Sequence, residues 1–183
     1  KNAPHIGVDI LDYSKRIMNE LICLAESLNI PVYYQDTDSI HLLEKDLMKL
    51  EQEYYKIYKK SLLGDDLGQF KSDFKNWTDK DLINIHSKEL IILGKKAYID
   101  VLEGTDKETG ETLINYHYRL KGINEPSIIA KCKELNINEL ELFKKMYKGD
   151  EIEFNLSASG KQFKFNKDYT IDTNENFIRT IKY

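Results

Sequence analysis

Between Ile6 and Leu28 the apolar residues Ile6, Ile10, Tyr13, Ile17, Leu21, Leu24 and Leu28 recur at spacings of three and four. That period predicts one long amphipathic helix, with Asp12, Lys15, Glu20 and Glu26 mostly off the apolar stripe. Asn29-Ile30-Pro31 should stop it, because the residue before a proline avoids helical angles. The pattern then changes at once. Ile30–Leu43 reads IPVYYQDTDSIHLL, two β-rich apolar runs around a pair of acids, which predicts a hairpin. A long helix leading directly into a hairpin leaves few arrangements open, and the rest of the chain narrows them further.

Residues 44–62 predict a second helix, with Leu47, Leu50, Tyr54, Ile57, Tyr58 and Leu62 on one face. Acids lie early and lysines late, which suits the helix dipole. Gly64–Gly68 should end it in a turn, and residues 69–74 (QFKSDF) alternate as a strand would. Three β-like runs follow between 82 and 103: LINIH, LIILG and AYIDVLE. A turn at Gly104–Gly110 brings back TLINYHYRL as a partner strand. Residues 126–135 and 138–148 predict two short helices, the second capped by Asn138 and closed by Gly149. The tail, 151–183, reads as three or four short strands. The class is α+β. Two parts are expected, residues 1–75 around the acid-bearing hairpin and residues 76–183, which are richer in strands.

At 183 residues and 41% hydrophobic the chain can form one or two domains with real cores. No run of 18 or more apolar residues occurs, so no membrane-spanning helix is expected. Lys1 opens inside an amphipathic pattern without a charged-then-apolar leader, as expected of a piece of a longer, non-secreted chain. Cys23 and Cys132 lack metal-ligand spacing and fall in helical patterns, which predicts reduced, buried thiols in a reducing compartment. The net charge is −4: residues 1–74 carry 9 basic and 13 acidic side chains, and the remainder 18 of each. This balance does not mark a nucleic-acid binder, so any such role must rest on particular residues.

Asp36-Thr37-Asp38-Ser39 is the candidate site. In an extended segment residues i and i+2 face the same side, so Asp36 and Asp38 would project together, with Thr37 turned away and Ser39 opening the return strand. Two neighbouring carboxylates repel unless a cation lies between them. Hard divalent ions take carboxylate oxygens and keep water or phosphate as their other ligands. The bare Asp-x-Asp pattern is also met as a solvated hairpin turn. Flanked by an aromatic pair and an apolar strand behind a long helix, it points to chemistry.

Tyr34-Gln35-Asp36-Thr37-Asp38-Ser39-Ile40-His41-Leu42 resembles the Tyr-x-Asp-Thr-Asp-Ser motif of family B DNA polymerases. The Ser-Ile-His-Leu continuation is similar to the protein-primed branch of bacteriophages, linear plasmids and mitochondrial plasmids. HIGVDIL and SKRIMNEL, in the preceding helix, are similar to that family's palm helix. LGQFKSDF (67–74) resembles a segment after the palm hairpins, Lys95-Lys96-Ala97-Tyr98 fits its Lys-x-Tyr element, and Tyr118–Gly122 resembles its Lys-Gly element. The likeness covers roughly residues 3 to 125 and is thinner beyond, where the family has a small β-rich thumb.

The resemblance implies template-directed nucleotidyl transfer with two Mg²⁺ (or Mn²⁺) ions. Asp38 would be the metal ligand, Asp36 the supporting acid, and Tyr34 a neighbour of the primer end. Lys96 and Tyr98 would hold the primer-template duplex and Lys121 would add a further contact. The partners implied are primer-template DNA, dNTP and a terminal priming protein, in a host cytoplasm or mitochondrial matrix. Read without the family, Lys96 and Lys121 are ordinary solvated lysines and Tyr98 a core tyrosine; Tyr54, Tyr55 and Tyr58 fit helix packing better than base stacking. The family's Asp-x-x-Ser-Leu-Tyr-Pro and Lys-x-x-x-Asn-Ser-x-Tyr-Gly motifs are absent, as are the acids of a proofreading exonuclease. All lie upstream in such enzymes. The chain is therefore expected to be the palm-and-thumb portion, inactive alone without the missing N-terminal part.

Three rivals remain. A haloacid-dehalogenase-type phosphatase uses Asp-x-Asp but wants Thr or Val where Ile40 stands, near the start of a Rossmann-like unit. A sugar-nucleotide transferase uses Asp-x-Asp to hold a metal-bound diphosphate. Neither has a reason to be followed by QFKSDF or KKAY. The third is a catalytically dead DNA-binding remnant.

Overall fold

The structure is a computed structural model that describes residues 3–156, 162–174 and 177–183. It is α+β, and the described residues form four helices and four small sheets in which every pair of named strands is antiparallel. The chain divides into two compact units, Lys1–Asp73 and Phe74–Tyr183.

In the first unit, α1 (Pro4–Ser27) begins with a proline at its first position, where no backbone donor is lost. It ends earlier than the proline alone requires. Asn29 adopts φ 56°, its N–H bonds Glu26 O at 3.0 Å, and the Ile30 N–H bonds Ala25 O at 2.8 Å. This is the Schellman closure, so the terminator is Asn29, two residues before Pro31. The apolar stripe is buried only in its second half. Met18, Leu21, Leu24 and Ala25 are buried, whereas Ile6, Ile10 and Tyr13 are 52%, 63% and 67% exposed. Cys23 is exposed too, against the expectation of two buried thiols: it lies one position off the packed stripe.

The hairpin follows as β1 (Tyr34–Asp36) and β2 (Ser39–His41), and then α2 (Glu44–Tyr58). The second helix is shorter than its pattern because Lys59 turns left-handed at φ 55°. Ile57 is exposed, while Leu62, beyond the helix, returns to the core. That core joins Leu21, Leu24, Ala25, Ile30, Leu50, Tyr54 and Leu62, with Val32, Ile40 and Leu42 of the hairpin arms packed against it. QFKSDF is not a strand. Only Phe70 pairs, through a single bridge to Leu63, since no neighbouring strand offers a ladder.

The second unit is built on β3 (Leu82–Gly94), β4 (Ala97–Asp106) and β5 (Thr112–Leu120). LINIH and LIILG prove to be one strand carrying bulges, the first beside Asn84 at φ 55°. One face of this sheet, with Ala97, Ile99, Tyr118 and Leu120, packs with α3 (Glu125–Leu135) and α4 (Glu139–Tyr147) around Ile128, Leu142, Phe143 and Met146. The segment 74–81 runs along the other face. The Phe74 ring meets His117 at 6.2 Å, and a Cβ on Gly104 would stand 2.9 Å from Trp77, so only glycine leaves room there. Asn138 closes a full capping box with Glu141, and Asn124 caps α3. The tail pairs β6 (Ile152–Asn155) with β9 (Ile178–Ile181), and β7 (Gln162–Phe165) with β8 (Ile171–Asn174). The parts of the tail reading that fall on 157–161 and 175–176 lie outside the described residues. No described helix is long and apolar enough to cross a membrane.

Candidate functional site

The Asp-Thr-Asp segment is not extended, which corrects the expectation that strand pleat puts both acids on one side. β1 ends at Asp36 and β2 begins at Ser39, with Asp36 opposite Ser39, so Thr37 and Asp38 form the whole loop. Thr37 has φ 51°, and the Asp38 N–H bonds back to Asp36 O at 2.6 Å. A β-branched residue in the left-handed region is a genuine outlier, and such strain persists only where the surroundings impose it. Here the Val32, Ile40 and Leu42 arms are held in the core, and the reversal must be made in two residues.

The two acids therefore stand on either side of a tight reversal. Nor does Thr37 turn away: its Oγ1 donates to Asp36 Oδ1 at 3.1 Å. The Ser39 hydroxyl donates to Asp36 O at 3.1 Å, tying the return strand across the turn. Thr37 and Asp38 are exposed and Asp36 half-buried, so the tip meets solvent while its base is fixed. Tyr34 is buried and packs edge-on against His41, its cross-strand partner, with ring centroids 5.5 Å apart. Sequence reasoning misses His41, and its place in the motif's flank is the available signal. Among the described residues no three His, Cys, Asp or Glu side chains converge on one point.

The second group lies in the other unit, and each is described by itself. Lys95 and Lys96 form the two-residue turn between β3 and β4, with Lys96 at φ 59°. The Lys121 N–H donates to Lys96 O at 2.9 Å, so these two lysines meet at one end of the sheet. Tyr98 begins the face covered by segment 74–81. It is half-buried, lies opposite Arg119, and its hydroxyl stands 3.5 Å from His117 Nε2 on a tilted ring 6.0 Å away. The structure thus brings together Lys96, Tyr98 and Lys121, and adds His117. No local pattern in the sequence could have placed His117 beside Tyr98, since their pairing depends on register.

At the opposite end of the sheet Asp106, the last residue of β4, has a strongly shifted carboxylate. The Thr109 hydroxyl at 2.7 Å, the Glu108 N–H at 3.0 Å and Lys80 at 3.3 Å hold its pKa down to about 2. These bonds fix the β4–β5 hairpin, and the group is fully satisfied within it. Burial pushes the Tyr118 hydroxyl up to about 12 and the Cys132 thiol up to about 11, which keeps both neutral in the core.

Compared with protein-family models, curated proteins and solved structures, the chain has no match.

Proposed function

We propose that the chain is the palm-and-thumb portion of a DNA-directed DNA polymerase of the protein-primed family B type. The observation that carries this reading is the Tyr-x-Asp-Thr-Asp-Ser sequence held at the tip of a strained two-residue hairpin, between α1 and α2. A solvated surface turn would relax by placing Asn or Gly at position 37; a β-branched residue kept at φ 51° belongs to a tip whose shape matters. The antiparallel pairing of all named strands is out of keeping with a Rossmann-like phosphatase unit, which needs a parallel sheet.

Asp38, with Asp36 beside it, offers oxygen ligands of the kind Mg²⁺ or Mn²⁺ takes, leaving its other positions to water and substrate phosphate. Two carboxylates are half of what a two-ion site requires. The rest would come from an upstream acid motif and the dNTP triphosphate. When bound, the ions supply charge stabilisation for in-line displacement at phosphorus. The role of this chain's residues is positional. The Val32, Ile40 and Leu42 arms fix the tip, and Thr37 and Ser39 hold Asp36. Lys96 and Lys121 neutralise duplex phosphates, and Tyr98 lies beside them. The uncovered apolar residues of Ile6–Tyr13 on α1 would pack under the remaining palm.

Primer extension tests the reading. The chain joined to its upstream coding sequence should incorporate dNTPs on a primed template with Mg²⁺ or Mn²⁺, and Asp38→Asn should abolish this. The 183-residue chain alone should not extend the primer. Robust synthesis by this chain alone, or none by the extended protein, would overturn it.

A further inference from the structure

The two edges of the three-stranded sheet in the second unit are built differently. β3, at one edge, shifts register between Ile83 and His86, between Ser87 and Glu89 and between Ile92 and Gly94, and it exposes Lys88 and Glu89 at the middle shift. Bulges and charges of this kind keep a further strand from pairing. β5, at the other edge, has neither device. Its residues match β4 one for one from Thr112 to Leu120, and TLINYHYRL holds no proline, glycine, lysine or acid. Among the described residues no strand pairs with its outer side.

The ladder decides which groups that outer side presents. The Lys121 N–H donates to Lys96 O at 2.9 Å and the Asp106 N–H to Glu111 O at 2.9 Å, one bond at each end of the β4–β5 pairing. Odd-numbered residues of β5 therefore turn their backbone groups toward β4, and Thr112, Ile114, Tyr116 and Tyr118 turn theirs outward. Leu120 faces outward too, but its carbonyl accepts the Ile123 N–H at 2.9 Å, which closes the edge there. Tyr118 O accepts from the Arg119 guanidinium at 3.0 Å, on a side chain long enough to move aside. Ile114 shares a face with Tyr116 and Tyr118, which border the α3–α4 core, yet it is 56% exposed at the rim of that core.

We infer that β5 pairs antiparallel with β5 of a second copy of this chain, centred on Asn115, so that the two three-stranded sheets become one. The outward groups of residues 112, 114, 116 and 118 are symmetric about that residue, as a two-fold axis requires. Across the axis Ile114 meets Tyr116 and Thr112 meets Tyr118, which sets an aromatic ring beside each exposed isoleucine. Asn115 meets its own copy, amide to amide. Glu111 falls opposite Arg119, so each edge offers the other one acid and one base, and no like charges face each other. Glu111 is 59% exposed, and Lys80, which holds it at 2.8 Å, also has Asp106 at 3.3 Å. This self-matching register and charge select a second copy over an unrelated strand. The interface is small, which makes the association concentration-dependent. The inference does not rest on the polymerase reading.

Sedimentation equilibrium of the 183-residue chain over a range of concentrations tests it, and should show monomer and dimer in exchange. Ile114→Pro should sediment as a monomer with its circular dichroism unchanged, because the N–H it removes points away from β4 and an edge tolerates proline there. Should that variant fail to fold, Ile114→Lys, a charge placed on the same exposed edge, should give the monomer instead. In a Cys23→Ser background, Asn115→Cys should form a disulfide-linked dimer on oxidation with diamide, since facing residues of such a pair lie about 4.5 Å apart between Cα atoms. Met48→Cys, equally open to solvent in the first unit, should not. A chain that stays monomeric at every concentration overturns the inference. So does a dimer that survives the Ile114 substitutions, which would place the contact elsewhere, as on the exposed stripe of α1 from Ile6 to Tyr13. A dimer in which Asn115→Cys does not cross-link overturns the register.

Discussion

Thr37 donates its hydroxyl to the Asp36 carboxylate at 3.1 Å while its own backbone sits at φ 51°. The side chain thus helps fix the acid from a conformation that disfavours it. A left-handed L-residue with a branched Cβ costs about 1–2 kcal/mol, and Asn tolerates the same angles better. Thr37→Asn should therefore raise the free energy of unfolding by about 1 kcal/mol, read as a higher urea midpoint with an unchanged m-value. A midpoint that stays put or falls would show that the turn carries no such strain.

Asp106 gives the second unit a defined acid sensitivity. Its carboxyl is depressed from 3.8 to about 2, first by the Thr109 hydroxyl, then by the Glu108 N–H, with Lys80 contributing less. A depressed carboxylate contributes stability that is fully present above its unfolded value and is lost as pH falls through its folded value. The contribution should fade between 3.8 and about 2. Asp106→Asn should be less stable than the parent near neutral pH, and the gap should close as the pH is lowered through that window. Denaturant midpoints taken along an acid series check it; a gap independent of pH would contradict the assignment.

Tyr54 ties α2 to α1. Its hydroxyl reaches Glu20 Oε2 at 3.3 Å, Glu20 is held by Arg16 at 2.8 Å, and the Tyr54 ring lies 4.7 Å from Tyr58. Removing the hydroxyl in Tyr54→Phe should cost about 1 kcal/mol, the usual worth of one such bond. Leu50→Ala, in the same core and fully buried, should cost about 2–5 kcal/mol through the cavity it leaves. Chemical denaturation of the two variants orders them. A larger loss from Tyr54→Phe than from Leu50→Ala would mean that the helix pair is held by polar contacts rather than packing.

What can be read from the sequence is local. The 3.6-residue period marks α1, and the alternation around Asp36 marks the hairpin, because neither depends on distant partners. Composition credits the end of α1 to Pro31 rather than Asn29, because the left-handed closure is a hydrogen-bond pattern. QFKSDF alternates, but a strand exists only where a neighbour pairs with it, and only Phe70 finds a bridge. The stripe from Ile6 to Tyr13 has the right period for burial and no described residue to bury it. The pleat argument puts Thr37 on the wrong side of the chain because its extended premise fails within a two-residue loop. The approach of Arg179 to Gly122 depends on β9 pairing with β6 across more than twenty residues, and no window of sequence contains it.

The two cysteines separate by environment. Cys132, on the buried face of α3, is 5% exposed, and burial, with Glu139 nearby, pushes its thiol up to about 11. Cys23 is exposed on α1. The reacting species is the thiolate, so burial and the raised thiol both protect Cys132, whereas Cys23 is open to reagent. In mildly alkaline buffer an alkylating reagent should modify one thiol per native chain quickly, at Cys23 by peptide mapping. Cys132 should follow only when denaturant opens the second unit, and its labelling rate should then track the unfolded population. Labelling of Cys132 in the native chain as fast as Cys23 would show that the α3–α4 core opens far more readily than its packing around Phe143 and Met146 implies.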